Sequence, residues 1–183
     1  MNIYKSELYL PSEDTFLLDY AVRKYKFNMV LEIGTGSGIV SLGLSKKNNV
    51  VVAVDVDINI LLRLKESCKY TQNMNLICCD SASPFVERVF DMIVFNPPYL
   101  PSEEIIDLAV DGGQKGIEIT ENWFKKASTC LKEGGVILFV TSSFSDNIEL
   151  FGFIRNLGYE IRILKRINLF FETLFVVEAR NIK

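Results

Sequence analysis

The chain is expected to fold as a doubly wound α/β sheet whose last strand runs against the others. Three observations lead there. Short apolar runs alternate with helix-compatible segments through all 183 residues, with no repeat, low-complexity tract or linker between them. One of those runs, Met29 to Ile33, enters a glycine loop, Gly34-Thr35-Gly36-Ser37-Gly38, and a helical segment, Ile39 to Ser45, leaves it. That is the order of a nucleotide-binding βα turn. The chain closes on two strand-like runs, Glu160 to Lys165 and Phe171 to Ala179, placed as an antiparallel hairpin. A single domain over residues 1–183 is expected, large enough to bury a substantial core, with a short segment, residues 1–12, ahead of the first helix.

Each element has a local reason. Ser12 is placed to cap a helix from Glu13 to about Lys24, with Glu13 and Asp14 favourably sited in its first turn. Val50 to Asp55 is a continuous apolar run ended by a carboxylate, the pattern of a buried parallel strand. Asp57 is placed to cap the helix Ile58 to Tyr70. Asn75 to Cys79 forms a third strand, ended by Asp80. Met92 to Phe95 forms a fourth, stopped by Pro97 and Pro98, neither of which donates a ladder hydrogen bond. Leu100 to Ile119 is a polar, glycine-containing loop able to close over a ligand. A helix from about Glu121 to Leu131 leads through Glu133-Gly134-Gly135 into the strand Val136 to Thr141. A last helix, about Asp146 to Leu157, ends at Gly158, suited to a left-handed cap.

Asn96-Pro97-Pro98-Tyr99 falls at the carboxyl end of a strand, where open α/β sheets bind their ligands. Asn96 offers a side-chain carbonyl acceptor, Pro97 a backbone carbonyl of fixed position, and Tyr99 a flat aromatic face. Two acceptors and a stacking plane make a cradle for a planar NH2 group, either an amide or the exocyclic amine of a base. Alone, the tetrapeptide also serves as a plain strand-ending turn.

The glycine loop departs from a dinucleotide fingerprint. Ile39 stands where GxGxxG needs glycine, and Glu32, two residues before the first glycine, would repel a pyrophosphate. A cofactor with positive charge and no phosphate, such as S-adenosylmethionine, suits it instead. Asp55, about 20 residues beyond the glycines, is where an acid conventionally takes ribose hydroxyls, and Asp80 is placed to accept from an adenine amino group. Three successive strands ending in Glu32, Asp55 and Asp80 put a row of carboxylates along one edge of the sheet.

Composition narrows the classes. The net charge is −3 and the pI about 5.2, against the basic surface of a DNA or RNA binder. The positive clusters Lys46-Lys47, Lys125-Lys126 and Arg162 through Arg166 read as solvated faces. No apolar run approaches a membrane span, and Met1 to Ser6 lacks a signal-peptide core. Four cysteines, Cys68, Cys78, Cys79 and Cys130, have no CxxC spacing, and there is no histidine, so no metal site is expected. Free, buried thiols in a reducing cytoplasm are expected instead. The absence of histidine also excludes histidine bases and nucleophilic triads.

LEIGTGSG from Leu31, AVDVD from Ala53, CCD from Cys78 and FNPPY from Phe95 together resemble the class I S-adenosylmethionine-dependent methyltransferases. Within these the chain is similar to the HemK-type enzymes, which methylate the N5 amide of a glutamine in translation release factors. The start, Tyr9-Leu10-Pro11-Ser12-Glu13-Asp14-Thr15-Phe16-Leu17-Leu18, resembles the eukaryotic and archaeal branch, as does Asp111-Gly112-Gly113-Gln114-Lys115-Gly116. Bacterial members carry a further amino-terminal helical domain, which is not expected here. The resemblance runs from about Tyr9 to Ala179.

The resemblance implies a seven-stranded class I sheet with a reversed last strand. It implies S-adenosylmethionine as cofactor, leaving as S-adenosylhomocysteine, with contacts at Thr15, Glu32, Gly34, Gly36, Asp55, Asp80 and Asn96. Asn96, Pro97, Pro98 and Tyr99 would hold the acceptor amide of a glutamine in the Gly-Gly-Gln motif of a class I release factor. The rival activity for the same cradle is N6-adenine methylation of DNA or RNA, and a catalytically inactive binding subunit is a third possibility, opposed by the intact Asn96, Asp55 and Glu32. Gly112-Gly113-Gln114 repeats the substrate tripeptide, but glycines there more simply let the loop turn.

A partner is also expected. The strand Asn75 to Cys79 falls at the sheet's edge, and Leu76-Ile77-Cys78-Cys79 carries none of the charge, proline or bulge that usually blunts an edge. Such an edge invites a strand from another chain. The resemblance implies a small zinc-binding activator protein as that chain, forming a heterodimer in which the zinc belongs to the partner. Coverage of the edge by the chain's own amino-terminal residues is the alternative.

Overall fold

In the computed structural model, residues 11–69, 71–104, 107 and 109–182 are described. Expectations that rest on Tyr9, Leu10, Tyr70 and residues 1–10 lie outside them. Twelve elements follow in chain order: α1 (Glu13–Val22), β1 (Met29–Ile33), α2 (Ile39–Ser45), β2 (Val50–Asp55), α3 (Ile58–Ser67), β3 (Met74–Cys78), β4 (Phe90–Phe95), α4 (Glu118–Cys130), β5 (Leu131–Ser142), α5 (Asn147–Asn156), β6 (Tyr159–Asn168) and β7 (Thr173–Asn181). The seven strands form one sheet in the order β3-β2-β1-β4-β5-β7-β6, and β7 alone runs antiparallel to its neighbours. The expected class I topology, with its reversed last strand, is therefore present.

The central strands are apolar on both sides because helices cover both faces. Leu18, Val22, Val40 and Leu44 of α1 and α2 pack with Val30, Val51, Met92 and Val94 on one face. Phe124, Ala127 and Ile154 of α4 and α5 pack with Leu31, Ile93, Phe139 and Val177 on the other. Close approach of α1 and α2 depends on Gly43, where an added Cβ would lie 2.3 Å from Asp19 Oδ1. Just past α1, Tyr25 donates to the buried carboxylate of Glu178 on β7, and Arg162 of β6 donates to the same group at 2.9 Å. These contacts lock α1 across the sheet.

Several element ends differ from expectation, each for a tertiary reason. Ser12 occupies the N-cap of α1 without a side-chain cap bond; its hydroxyl donates to Asp14 Oδ1 at 2.6 Å. Asp14 does not decorate a solvated first turn but points inward, 2% exposed. β5 begins at Leu131, because Leu131 pairs with Phe90 ahead of a register shift, and the Glu133-Gly134-Gly135 segment bulges between that pair and Met92–Val136. α4 starts at Glu118, so the preceding loop is shorter than expected. Phe171, expected in the last strand, sits instead in the turn between β6 and β7. Asp57 and Asp146 cap α3 and α5 through Asn59 N (2.8 Å) and Glu149 N (3.1 Å). Gly158 adopts φ +90°, as a left-handed cap should.

Among the described residues the sheet ends on one side at β3, which pairs there with β2. Leu76 and Ile77 are half-buried and Cys78 is exposed, so the apolar edge expected from the sequence is present. The cysteines are free but not uniformly buried: Cys68 and Cys130 are, Cys79 is half-buried and Cys78 is open. Among the described residues, no helix is long and apolar enough to cross a membrane.

Gly38 ends the glycine loop at φ +75°, and an added Cβ would stand 2.2 Å from Leu64 Cδ1 of α3. Backbone strain and overpacking act together there. Gly38→Ala should therefore lower unfolding free energy by about 1–3 kcal/mol. Urea unfolding of the two proteins measures this, and an unchanged midpoint would contradict the packing described.

Candidate active site

A cleft of about 450 Å³ opens outside the carboxyl ends of β1, β2 and β4 and past the end of β3. Parallel register puts it there. Ile33 pairs with Val54 and with Phe95, so the residues that follow these strands emerge side by side. Thr15, Glu32, Gly34, Gly36, Asp55, Asp80, Asn96, Pro97, Pro98 and Tyr99, all singled out from the sequence, line this one cleft.

Glu32 is 4% exposed at the end of β1. It accepts from Thr35 Oγ1 at 3.0 Å and from the Ser41 hydroxyl. Burial raises its carboxyl from an ordinary 4.5 to about 7; the hydroxyl bonds oppose the rise, and the negative charge of Asp55 adds to it. Asp55 is fixed at both oxygens: Oδ2 accepts from Gly36 N at 3.1 Å and Oδ1 from Asp57 N at 3.0 Å. Burial raises its carboxyl as well, against those backbone bonds.

The glycine loop is pinned to the sheet by Thr35 N donating to Val54 O at 2.9 Å. At Gly34, φ +67°, an added Cβ would lie 2.8 Å from the Trp123 ring. Trp123, from α4, forms one wall and meets Phe95 edge to face at 5.9 Å. At Gly36 the space over the Cα is open on the cleft side, with nothing nearer than Gly34 O at 4.0 Å. Asp80 stands at the rim, its side chain 64% exposed, and pairs with Lys126 Nζ at 2.6 Å. Lys126 is thus no plain solvated lysine, as the sequence suggested.

At the other end of the cleft, Asn96 Nδ2 donates to Asp14 Oδ2 at 3.0 Å, and Tyr99 Oη donates to the same oxygen at 3.0 Å. Asp14 Oδ1 accepts from Thr15 N at 2.6 Å. With its amino group committed, Asn96 turns its Oδ1 the other way. That oxygen is buried and has no hydrogen-bond partner among the described residues. A buried acceptor without a donor is costly, and its retention beside a cleft marks a place for one. Asp14 was not among the residues singled out. Its signal was present in the sequence: 14, 18 and 22 form an i, i+4, i+8 stripe with Leu18 and Val22, and a carboxylate on a buried stripe needs a partner. Trp123 and the hydroxyls of Thr35 and Ser41 were also missed, and nothing local distinguished them.

The loop expected to close over a ligand lines the cleft through Leu100, Val110 and Asp111. Leu100 N donates to Val110 O (3.0 Å), Gly112 N to Leu100 O (2.8 Å) and Ser102 N to Gly113 O (2.8 Å). An added Cβ at Gly112 would lie 2.8 Å from Pro98 O, and at Gly116 2.3 Å from Tyr99 O. These glycines let the loop backbone lie against the Asn96–Tyr99 turn, and Gln114 between them faces solvent. Packing accounts for the tripeptide.

These residues fit S-adenosylmethionine. Asp55 is held ready for a diol, Gly36 leaves room for close backbone approach, and Glu32 provides a carboxylate next to the glycine loop. Among the described residues, no group of three or more His, Cys, Asp or Glu is arranged around a common point for a metal.

Comparison with known proteins agrees with this geometry. The methyltransferase small domain family matches residues 13–165. A Methanocaldococcus jannaschii protein provisionally named protein N5-glutamine methyltransferase is 35% identical over 94% of this chain and 91% of its own length. The mouse methyltransferase HEMK2 is 27% identical over 84% of this chain and 80% of its own. Among solved structures, the E. cuniculi Mtq2–Trm112 complex, described as responsible for methylation of the termination factor eRF1, contains a chain that superposes with a TM-score of 0.78. That chain is 26% identical, and the match covers 94% of this chain and 98% of that one.

The Glu32 carboxyl supplies a pH test. Between its ordinary value of 4.5 and about 7 the folded protein keeps a proton that the unfolded chain has lost. Stability from this group therefore falls as pH rises through that window and levels off above it. Glu32→Gln should flatten this part of the profile. Melting curves of both proteins between about pH 5 and about pH 8 measure the difference; parallel profiles would show that Glu32 is not held protonated. Cofactor affinity should also rise with pH through about 7 in the wild type alone, since a positively charged ligand favours the ionised carboxylate.

Proposed function

Since the chain belongs to the methyltransferase small domain family and, within it, to the HemK-like protein N5-glutamine methyltransferases of archaea and eukaryotes, we propose that it methylates the side-chain amide of a glutamine in the Gly-Gly-Gln motif of a class I translation release factor. The observation that carries this reading is the buried Oδ1 of Asn96, which has no partner among the described residues and is aimed by Asp14 beside a proline turn. A primary amide has two N–H groups and a planar frame, and the turn has two acceptors and a plane to match them.

S-adenosylmethionine, when bound, supplies an electrophilic methyl group on a sulfonium. Glu32, Asp55 and Asp80 contact the methionine end, the ribose and the adenine in that order, with Thr15 and the glycine loop completing the site. Asn96 Oδ1 and the Pro97 carbonyl accept the two amide protons of the glutamine, and the Tyr99 ring lies along its plane. These hydrogen bonds favour the amide nitrogen as it turns tetrahedral, so that its lone pair faces the cofactor side of the cleft. The proton leaves to solvent afterwards, and no strong base is required. Orientation of this kind can contribute about 7–11 kcal/mol.

The cradle would also accept the exocyclic amine of adenine. Net charge of −3 and relatives named for glutamine favour the protein amide. The setting that follows is the cytoplasm, where release factors act.

The reading extends to a partner. The E. cuniculi neighbour is a complex with Trm112, and here, among the described residues, the unblunted edge of β3, with Leu76, Ile77 and Cys78, leaves backbone groups ready for an added strand. A small zinc-binding activator occupies that edge, and the zinc is held by the partner.

Three outcomes are expected. Asn96→Ala should lower kcat by about a hundredfold or more, while calorimetry finds cofactor binding little changed. Asp14→Ala should lose part of the same kcat by freeing the Asn96 amide. Radiolabelled methyl transfer to purified release factor and to duplex DNA separates the two substrates, and wild-type turnover by Asn96→Ala would end the reading. Ile77→Asp should weaken association with the activator by about tenfold or more without lowering the free chain's melting temperature by a comparable amount. A fully active, monomeric chain without any partner would remove the heterodimer.

A further inference from the structure

The turn joining β6 to β7 carries two adjacent phenylalanines, Phe170 and Phe171, that are 92% and 81% exposed. Such apexes are ordinarily filled by glycine, asparagine or aspartate. The two rings meet each other edge to face at 4.6 Å rather than reaching the core. Phe144, on the connection from β5 into α5, and Ile148, in the first turn of α5, are 51% and 90% exposed as well. Exposed apolar groups gathered at one place mark an interaction surface.

Their position ties them to the cleft. β5 and β6 run parallel to β4, so the end of β5 and the β6–β7 turn lie at the carboxyl edge of the sheet, the same edge as the cleft. Ser143 N donates to Thr173 O at 2.9 Å, and Thr173 N donates to Ser143 Oγ at 3.0 Å, stitching the turn's base to the segment that holds Phe144. One residue beyond Phe144, Ser145 Oγ donates to the backbone oxygen of Tyr99 at 2.8 Å. A continuous set of hydrogen bonds thus runs from the amide cradle to the aromatic apex.

We propose that Phe170 and Phe171, with Phe144 and Ile148, form a docking ridge for the folded body of the protein substrate. This rests on the glutamine reading of the cleft. A glutamine side chain extends only about 6 Å from its backbone, so a protein that places one in the cradle must bring its own surface against the carboxyl edge. The apex projects from the sheet, which suits a concave apolar surface on a different protein rather than self-complementary pairing of two copies. The cradle aligns the amide, and the ridge selects the protein that presents it.

The test compares Phe170→Ser/Phe171→Ser with wild type, each with its activator, on two substrates: intact release factor and a short synthetic peptide containing its Gly-Gly-Gln. The KM for the intact factor should rise about tenfold, with kcat little changed. The peptide should be methylated equally by both enzymes, which also shows that the variant is folded. Equal loss on both substrates, no loss on either, or a shift confined to self-association in sedimentation would overturn the ridge. Failure of wild type on both substrates would overturn the glutamine reading first, and the ridge with it.

Discussion

Asn96 presents an amino group on one side and a carbonyl oxygen on the other, and the carboxylate of Asp14 takes the first. That single hydrogen bond decides which way the amide points. With the amino group committed to Asp14, the oxygen is left buried and without a donor among the described residues. Tyr99 hydrogen-bonds the same carboxylate oxygen, so one group on α1 sets two of the positions on the strand-ending turn. The arrangement requires α1 to sit at a fixed height over the sheet. Gly43 allows its close contact with α2, and Tyr25 anchors the chain just beyond it to Glu178 on β7. Much of the fold thus acts to hold one carboxylate beside one amide.

The other end of the cleft is organised by a different economy of charge. Burial raises the carboxyls of both Glu32 and Asp55, and the charge of Asp55 adds to the rise at Glu32. Hydroxyls of Thr35 and Ser41 and the backbone amides of Gly36 and Asp57 recover part of that penalty. What remains is a site that gains when a positive group arrives, which is the reverse of a phosphate-binding loop. Asp80 is open to solvent and paired with Lys126, and a surface pair of this kind exchanges partners at little cost.

Away from the cleft, the described residues leave exposed apolar groups at the β3 edge and at the β6–β7 turn, and the shapes of these two differ. The β3 edge offers a straight row of backbone groups with half-buried side chains, which suits a strand. The β6–β7 turn offers side chains alone on a projecting apex, which suits a pocket. The two lie at opposite ends of the strand order, β3 first and β6 last, so occupation of one leaves the other accessible.

Much of this was legible in the residues because it is written in local chemistry. Strand runs, glycine turns, the Asp57 cap and the double proline after Phe95 act within a few positions of one another, and their spacing determined seven strands and a shared carboxyl edge. Parallel strands of known sense then bring Glu32, Asp55, Asp80 and Asn96 to one cleft without further information. What only the tertiary structure decided involves partners far apart in the chain. Asp14 read as a helix-start acid until α1 met Asn96, 82 residues away; Trp123 read as one aromatic among many until α4 laid it over Gly34. Phe171 read as strand because aromatics favour strands, yet the turn placed it in water. A side chain's neighbours across the sheet set its burial and its hydrogen bonds, and those neighbours are not adjacent in sequence.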